Sequence, residues 1–160
     1  MRDQAKSGFG FSLVEVTLAL GIAAVCLTTV FALLPVGLRT NQNATQQVAS
    51  ADIMGAVIAD LRSTPLTTPP GRATTSPQFS ITIPANPVTA TSSATLYFDN
   101  EGQFSTSATS NSRYRLIITF VPNSDSRSAT LVDLRMTWPA AAQVANAAGS
   151  SEMFLALDRN

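Results

Sequence analysis

The chain opens on a short polar segment that gives way to a long apolar run. Residues 1–10 contain the basic residues Arg2 and Lys6, whereas residues 11–38 contain a single charged side chain, Glu15, near the start of the run. About 20 apolar residues suffice to cross a bilayer, and here the apolar side chains lie on every side of a helix, as lipid requires. The pattern predicts a transmembrane helix over residues 11–38, preceded by a leader over residues 1–10.

A second apolar pattern continues through residues 41–62, where the spacing of three and four predicts an amphipathic second half of the same helix. Pro35 and Gly37 lie between the halves, and either loosen the helix or mark the end of its membrane part. The helix should stop near Thr64, because Pro65 disfavours helical backbone before it. Its stripe is expected to comprise Ala44, Val48, Ala51, Met54, Val57 or Ile58, and Leu61, with Asp52 and Asp60 on the surface.

The remaining chain alternates apolar and polar residues, which predicts strands with one face on a core. The predicted strands cover residues 79–83, 95–98, 113–121 and 130–138, and a short edge strand covers residues 153–157. Residues 140–151 are expected to form an irregular linker. The chain is therefore predicted to be an α+β protein, with residues 39–160 forming a body in which a helix to about residue 63 packs on a small antiparallel sheet.

Histidine is absent from the sequence, and cysteine occurs once, at Cys26. The composition excludes a Ser-His-Asp triad, a Cys-His pair, nearly all common zinc sites and an intramolecular disulfide. Lys plus Arg and Asp plus Glu each total 10, and no basic face stands out, so no nucleic-acid partner is predicted. No cofactor is predicted and no group of residues supports catalysis, so we expect a protein that is not an enzyme.

Three smaller patterns have simple interpretations. Residues 99–101, Asp-Asn-Glu, are expected to form a turn rather than a calcium loop, because their oxygen spacing matches no calcium signature. Asp125 and Asp133 offer no better cation site. The Asn-Ala-Thr triplet at residues 43–45 matches the glycosylation acceptor pattern but lies in the predicted helix.

Glu15 and the residues before it carry the most specific signal. A charged residue at the centre of a membrane helix costs about 2.5–3.5 kcal/mol on insertion scales, so such a residue is usually functional. A basic leader, then Gly-Phe-Ser-Leu-Val-Glu at residues 10–15, then an uninterrupted apolar helix, closely resembles the signature of type IV prepilins and type II secretion pseudopilins. The resemblance implies cleavage between Gly10 and Phe11, methylation of the new amino terminus of Phe11, and filament assembly through Glu15.

The resemblance further implies a pilin-like fold and a set of partners. These are prepilin peptidase, other pilin or pseudopilin subunits, an inner-membrane assembly platform and the lipid bilayer. The positive-inside rule places the leader in the bacterial cytoplasm and the body in the periplasm, with a single span of the inner membrane. The short body without a C-terminal cysteine pair favours a minor subunit. The alternative is a single-span, membrane-anchored periplasmic binding protein that keeps its leader and never polymerises.

Overall fold

The computed structural model describes residue 10 and residues 12–125 and 127–159. Its first element is the helix α1, Leu13–Ser63, which is 51 residues long. The chain divides into two compact units, one ending at Asn43 and the other beginning at Ala44. Residues 1–9 of the predicted leader and Phe11 lie outside the described residues.

The first unit contributes the apolar part of α1. Every residue from Ser12 to Thr45 is exposed in the single chain, and the helix is long and apolar enough to span a membrane. Pro35 lies inside α1 and the helix continues beyond it. The predicted long helix is therefore confirmed, and the alternative in which Pro35 and Gly37 mark the end of its membrane part stays a prediction.

The second unit is an α+β body. Its strands, over the described residues 44–125 and 127–159, are β1 (Thr74–Thr75), β2 (Thr82–Ile83), β3 (Ser92–Phe98), β4 (Phe104–Ser105), β5 (Tyr114–Phe120), β6 (Thr130–Trp138) and β7 (Gly149–Leu157). A 3₁₀ turn lies at Val144–Asn146. The strands β1 and β2 form a small sheet of their own. The other strands form an antiparallel five-stranded sheet in the order β4-β3-β5-β6-β7.

The core lies between the end of α1 and one face of the large sheet. From the helix, Met54, Val57 and Leu61 are almost fully buried, as predicted. Val48 is 62% exposed and Ala51 is also exposed, so the predicted stripe is wrong at its N-terminal end. The strands contribute side chains that alternate along each strand, as the period of two requires: Leu96, Phe98, Leu116, Ile118, Phe120, Val132, Leu134, Met136, Leu155 and Leu157.

Two predicted boundaries differ from the structure. The strand expected at residues 79–83 is reduced to Thr82–Ile83, because Ser80 adopts a positive φ of 54° and interrupts the extended backbone. Phe79, Ile81 and Ile83 are nevertheless all buried, so their predicted inward face is confirmed. The predicted linker and short strand are wrong in extent, because β7 begins at Gly149 and pairs with the whole of β6.

Candidate functional site

Two of the three sequence-predicted site residues are described: Gly10, which precedes α1, and Glu15, in its first turn. Gly10 is exposed, and a Cβ built on it would meet no atom within 4 Å. The carbonyl of Ser12 accepts the first helical bond, from the N–H of Val16 at 3.2 Å. Glu15 lies exposed in the first turn, where the unpaired N–H groups of a helix favour a negative charge. The third predicted residue, Phe11, lies outside the described residues.

Hydroxyl groups within the apolar part of α1 are satisfied by the helix itself. Thr17 donates to the carbonyl of Val14 at 2.9 Å, and Thr28 donates to the carbonyl of Ala24 at 2.8 Å. The hydroxyl of Thr29 donates to the carbonyl of Val25 at 2.5 Å. A polar group exposed to lipid must find its partner within the protein. These threonines therefore leave the surface of the helix compatible with lipid, and Glu15 remains its one charged group between residues 13 and 38.

The sequence-predicted loops and the cysteine offer no chemistry of their own. Asp99 Oδ1 accepts the N–H groups of Glu101 and Gln103, each at 2.9 Å, so the acidic segment is a turn, as predicted. Cys26 is a free, exposed thiol on the apolar helix. Among the described residues, no group of three or more His, Cys, Asp or Glu side chains could hold a metal ion.

Asp60 fixes the end of α1 to the following segment. The expectation that it lies on the surface is wrong, because it is 4% exposed. Its carboxylate accepts the N–H of Gln78 at 2.9 Å and the N–H of Phe79 at 3.0 Å. The carbonyl of Asp60 also accepts hydroxyl bonds from Ser63 and Thr64, each at 2.9 Å, and these satisfy the last turn of the helix. Sequence carried a signal for this burial, since Asp60 follows Val57 by three residues and shares its face.

A second buried charge, Arg159, was not found from sequence. Its guanidinium donates to the carbonyl of Pro84 at 2.7 Å and to that of Arg72 at 2.5 Å, and the residue is 5% exposed. Burial lowers the pKa of the Arg159 guanidinium. It borders an open cleft of about 500 Å³ beside Leu61 and Leu157. Because its donors face backbone carbonyls, Arg159 holds two loops in place and does not offer a free cation to that cleft.

The solvent face of the large sheet carries a group of charged residues at its β7 end. Asp133 on β6 lies next to Arg135 on the same face, and Arg135 is directly opposite Glu152 on β7. Burial raises the pKa of Asp133, and the neighbouring Glu152 carboxylate raises it further, while Arg135 lowers it. Asp133 Oδ1 is enclosed and lacks a hydrogen-bond partner. The formal charge of these three side chains is −1, and Arg115 lies on the same face of the sheet, on β5 opposite Thr137.

Comparison with protein-family models, with curated proteins and with solved structures finds no match for this chain. The candidate site therefore rests on the chain's own residues.

Proposed function

We propose that this protein is a structural subunit, a minor pilin or pseudopilin, of a type IV pilus-like or type II secretion-like filament. The observation that carries the proposal is α1. Its first part, to Leu38, exposes apolar side chains and the single charge of Glu15, and its last part supplies Met54, Val57 and Leu61 to the core of an α+β body. In a pilin-like subunit, the first part of such a helix would anchor the protein in the membrane, and the last part would pack on the sheet of the body.

Processing is proposed to occur between Gly10 and Phe11. Gly10 has no side chain and is exposed, so a peptidase with a narrow subsite could accept it where a larger residue would be excluded. The cut would remove the leader with Arg2 and Lys6 and would create a new amino terminus on Phe11, the proposed site of N-methylation. The protein itself is proposed to have no catalytic role.

Glu15 is the proposed assembly residue. An unpaired carboxylate in lipid is costly, and cleavage creates a positive amino group four residues earlier, at Phe11. Within one chain these groups would lie about one helical turn apart. In a filament, Glu15 would instead pair with the amino terminus of a neighbouring subunit. The pair would neutralise both charges and set the axial register of the two helices.

The proposed location is the bacterial inner membrane, with the leader in the cytoplasm before cleavage and the body in the periplasm or in an extracellular or periplasmic filament. Arg2 and Lys6 precede the apolar run, and only Arg39 follows it closely, which favours this orientation. The corresponding partners are prepilin peptidase, the lipid bilayer, other subunits and the inner-membrane assembly platform.

The decisive experiment is to determine the mature amino terminus by mass spectrometry. The full chain would be expressed in a bacterium that has prepilin peptidase, and in the same strain without the enzyme. We expect a chain that begins at N-methylated Phe11 in the first strain and at the uncut leader in the second. Gly10→Val should retain the leader, whereas the matched change Gly8→Val should not. An intact leader on the wild-type chain in both strains would support the alternative, a membrane-anchored periplasmic binding protein.

A further inference from the structure

The strand β7 forms one edge of the large sheet. All nine of its residues pair with β6, and within the described residues no strand pairs with its other side. A free edge of this length presents a row of unpaired backbone groups to solvent. The strand is therefore a template to which a further extended segment could be added.

The pairing of β5 with β6 shows which residues of β7 present those groups. The N–H of Val121 donates to the carbonyl of Leu131 at 2.9 Å, so the odd-numbered residues of β6 bond to β5. Because backbone groups alternate in direction along an antiparallel strand, the even-numbered residues of β6 bond to the odd-numbered residues of β7. The even-numbered residues of β7 thus direct their N–H and C=O groups outward: Ser150, Glu152, Phe154 and Ala156.

The same even-numbered residues also place their side chains on the solvent face of the sheet. Phe154 is 73% exposed, and Leu131, its diagonal neighbour on β6, is 49% exposed. Met153, on the opposite face, is 40% exposed at the same edge. The side chains of an added strand would cover Phe154 on the solvent face of the sheet and Met153 on the opposite face. The edge therefore combines unpaired backbone groups with apolar side chains on both faces.

This edge lacks the features that usually prevent strand addition. Such features are prolines, lysines, bulges and very short length. The sequence of β7, GSSEMFLAL, contains neither proline nor lysine, and its register with β6 is continuous from Gly149 to Leu157. The other edge of the sheet is formed by the two residues of β4 and by the part of β3 that β4 does not cover, Ser92–Leu96.

The charges at this edge favour one kind of occupant. Glu152 is the only charged residue of β7, and its neighbours on β6 are Arg135, directly opposite, and Asp133, which lies opposite Phe154. Arg135 flanks Glu152 on the β6 side only, so a lysine or arginine opposite Glu152 on an added strand would give it a second cationic neighbour. The formal charge of the four side chains would then be zero. A second copy of the chain offers no such residue from an edge strand, because β3, β4 and β7 contain no basic side chain.

We propose that the free edge of β7 binds an extended segment of a partner protein by strand addition. The segment carries a lysine or arginine opposite Glu152 and an apolar side chain, two residues away, opposite Phe154. Backbone bonds to the even-numbered residues of β7 hold the segment, and the two side-chain pairs select it. This site lies in the body, so its occupation depends neither on the leader nor on filament assembly.

A synthetic peptide tests the proposal with the full chain in detergent micelles. The probe is fluorescein-labelled Thr-Thr-Val-Thr-Lys-Thr-Val-Thr-Thr, whose sequence reads the same in both directions and so fits either strand direction. Fluorescence anisotropy should show saturable binding to the protein and none to empty micelles. A peptide with Glu in place of Lys should bind about tenfold more weakly, because a like-charge pair replaces an opposite-charge pair. Glu152→Lys should reverse this preference.

N-methylated peptides separate strand addition from simple charge attraction. In an antiparallel pair the Val and Lys amides face β7, so methyl groups on them should abolish binding, while methyl groups on the two Thr amides that flank Lys should leave it unchanged. In a parallel pair those Thr amides face β7, so the two effects exchange. Equal binding of the two methylated peptides, equal binding of the Lys and Glu peptides, or no saturable binding would each overturn the proposal. So would light scattering that shows a dimer which Ala156→Pro abolishes, since that would assign the edge to a second copy.

Discussion

Replacement of Asp60 by alanine should destabilise the body strongly. The carboxylate is buried and accepts two backbone N–H groups, from Gln78 at 2.9 Å and from Phe79 at 3.0 Å. Hydrogen bonds to a charged group contribute about 1.5–3 kcal/mol each. Alanine removes both acceptors and leaves the N–H of Phe79, itself buried, without a partner. We expect the free energy of unfolding to fall by about 3 kcal/mol or more.

Two matched variants make the reasoning specific. Asp60→Asn keeps one acceptor oxygen but turns an NH₂ group toward the second backbone N–H, so it should cost roughly half as much as alanine. Asp52→Ala changes the same residue type on the same helix, but Asp52 is exposed. Exposed substitutions of this kind usually change stability by less than about 0.5 kcal/mol. The expected order of stability is therefore Asp52→Ala, then Asp60→Asn, then Asp60→Ala.

The assay is urea unfolding of a truncated chain that begins at Arg39, followed by far-ultraviolet circular dichroism. The second unit begins at Ala44, so this truncated chain should be soluble and fold cooperatively. Thermal unfolding should place Asp60→Ala about 12 °C below the wild type, at about 4 °C per kcal/mol. If Asp60→Ala and Asp52→Ala unfolded at the same urea concentration with equal slopes, the carboxylate would not hold residues 78 and 79, and the reasoning would fail.

Three further changes have defined outcomes. Glu15→Leu should be cleaved and stay in the membrane, but should not cross-link to other filament subunits; normal cross-linking would remove Glu15 from its proposed role. The pKa of Asp133 is raised in the folded chain, so the folded chain binds the proton of this carboxyl more tightly than the unfolded chain does. The free energy of unfolding therefore falls as the pH rises above the ordinary pKa of an aspartate. Asp133→Asn should therefore stabilise the body at pH 7 in urea unfolding, with the gain shrinking toward pH 4. Gly149→Ala should cost about 1–3 kcal/mol in the same assay, because its Cβ would lie 2.3 Å from the ring of Trp138; unchanged stability would show that the ring moves aside freely.

Periodicity predicted the helix and the main strands because these segments bury a regular face. Leu116, Ile118 and Phe120 alternate with polar or less buried neighbours, and all three are fully buried. The structure also confirms the α+β class and the long apolar helix at its start. The pilin-like family, the cleavage site and the role of Glu15 stay predictions.

The predictions that are wrong concern residues whose environment depends on contacts with distant parts of the chain, which a local pattern does not contain. Val48 fits the helical stripe by spacing, but it precedes the part of α1 that the sheet covers. Asp60 shares the helix face of Val57, which indicates burial, but the backbone N–H groups of Gln78 and Phe79 that make burial of its carboxylate possible are partners that no sequence pattern reveals. Gly149 belongs to a strand because its missing side chain leaves room for the ring of Trp138, and a low-complexity segment gives no hint of that contact.

The position of β7 in the chain has a consequence for the order of folding. Leu155 and Leu157 complete the core, and Arg159 bonds to carbonyls that lie 75 and 87 residues earlier. Synthesis proceeds from the amino terminus. The strand β6 therefore cannot pair with β7 until residues 149–159 have been synthesised and have left the ribosome. The core cannot close while these residues are still being made or threaded across a membrane. If the body crosses a membrane, as proposed, it should therefore stay unfolded during the crossing and become compact only when residues 149–159 have followed.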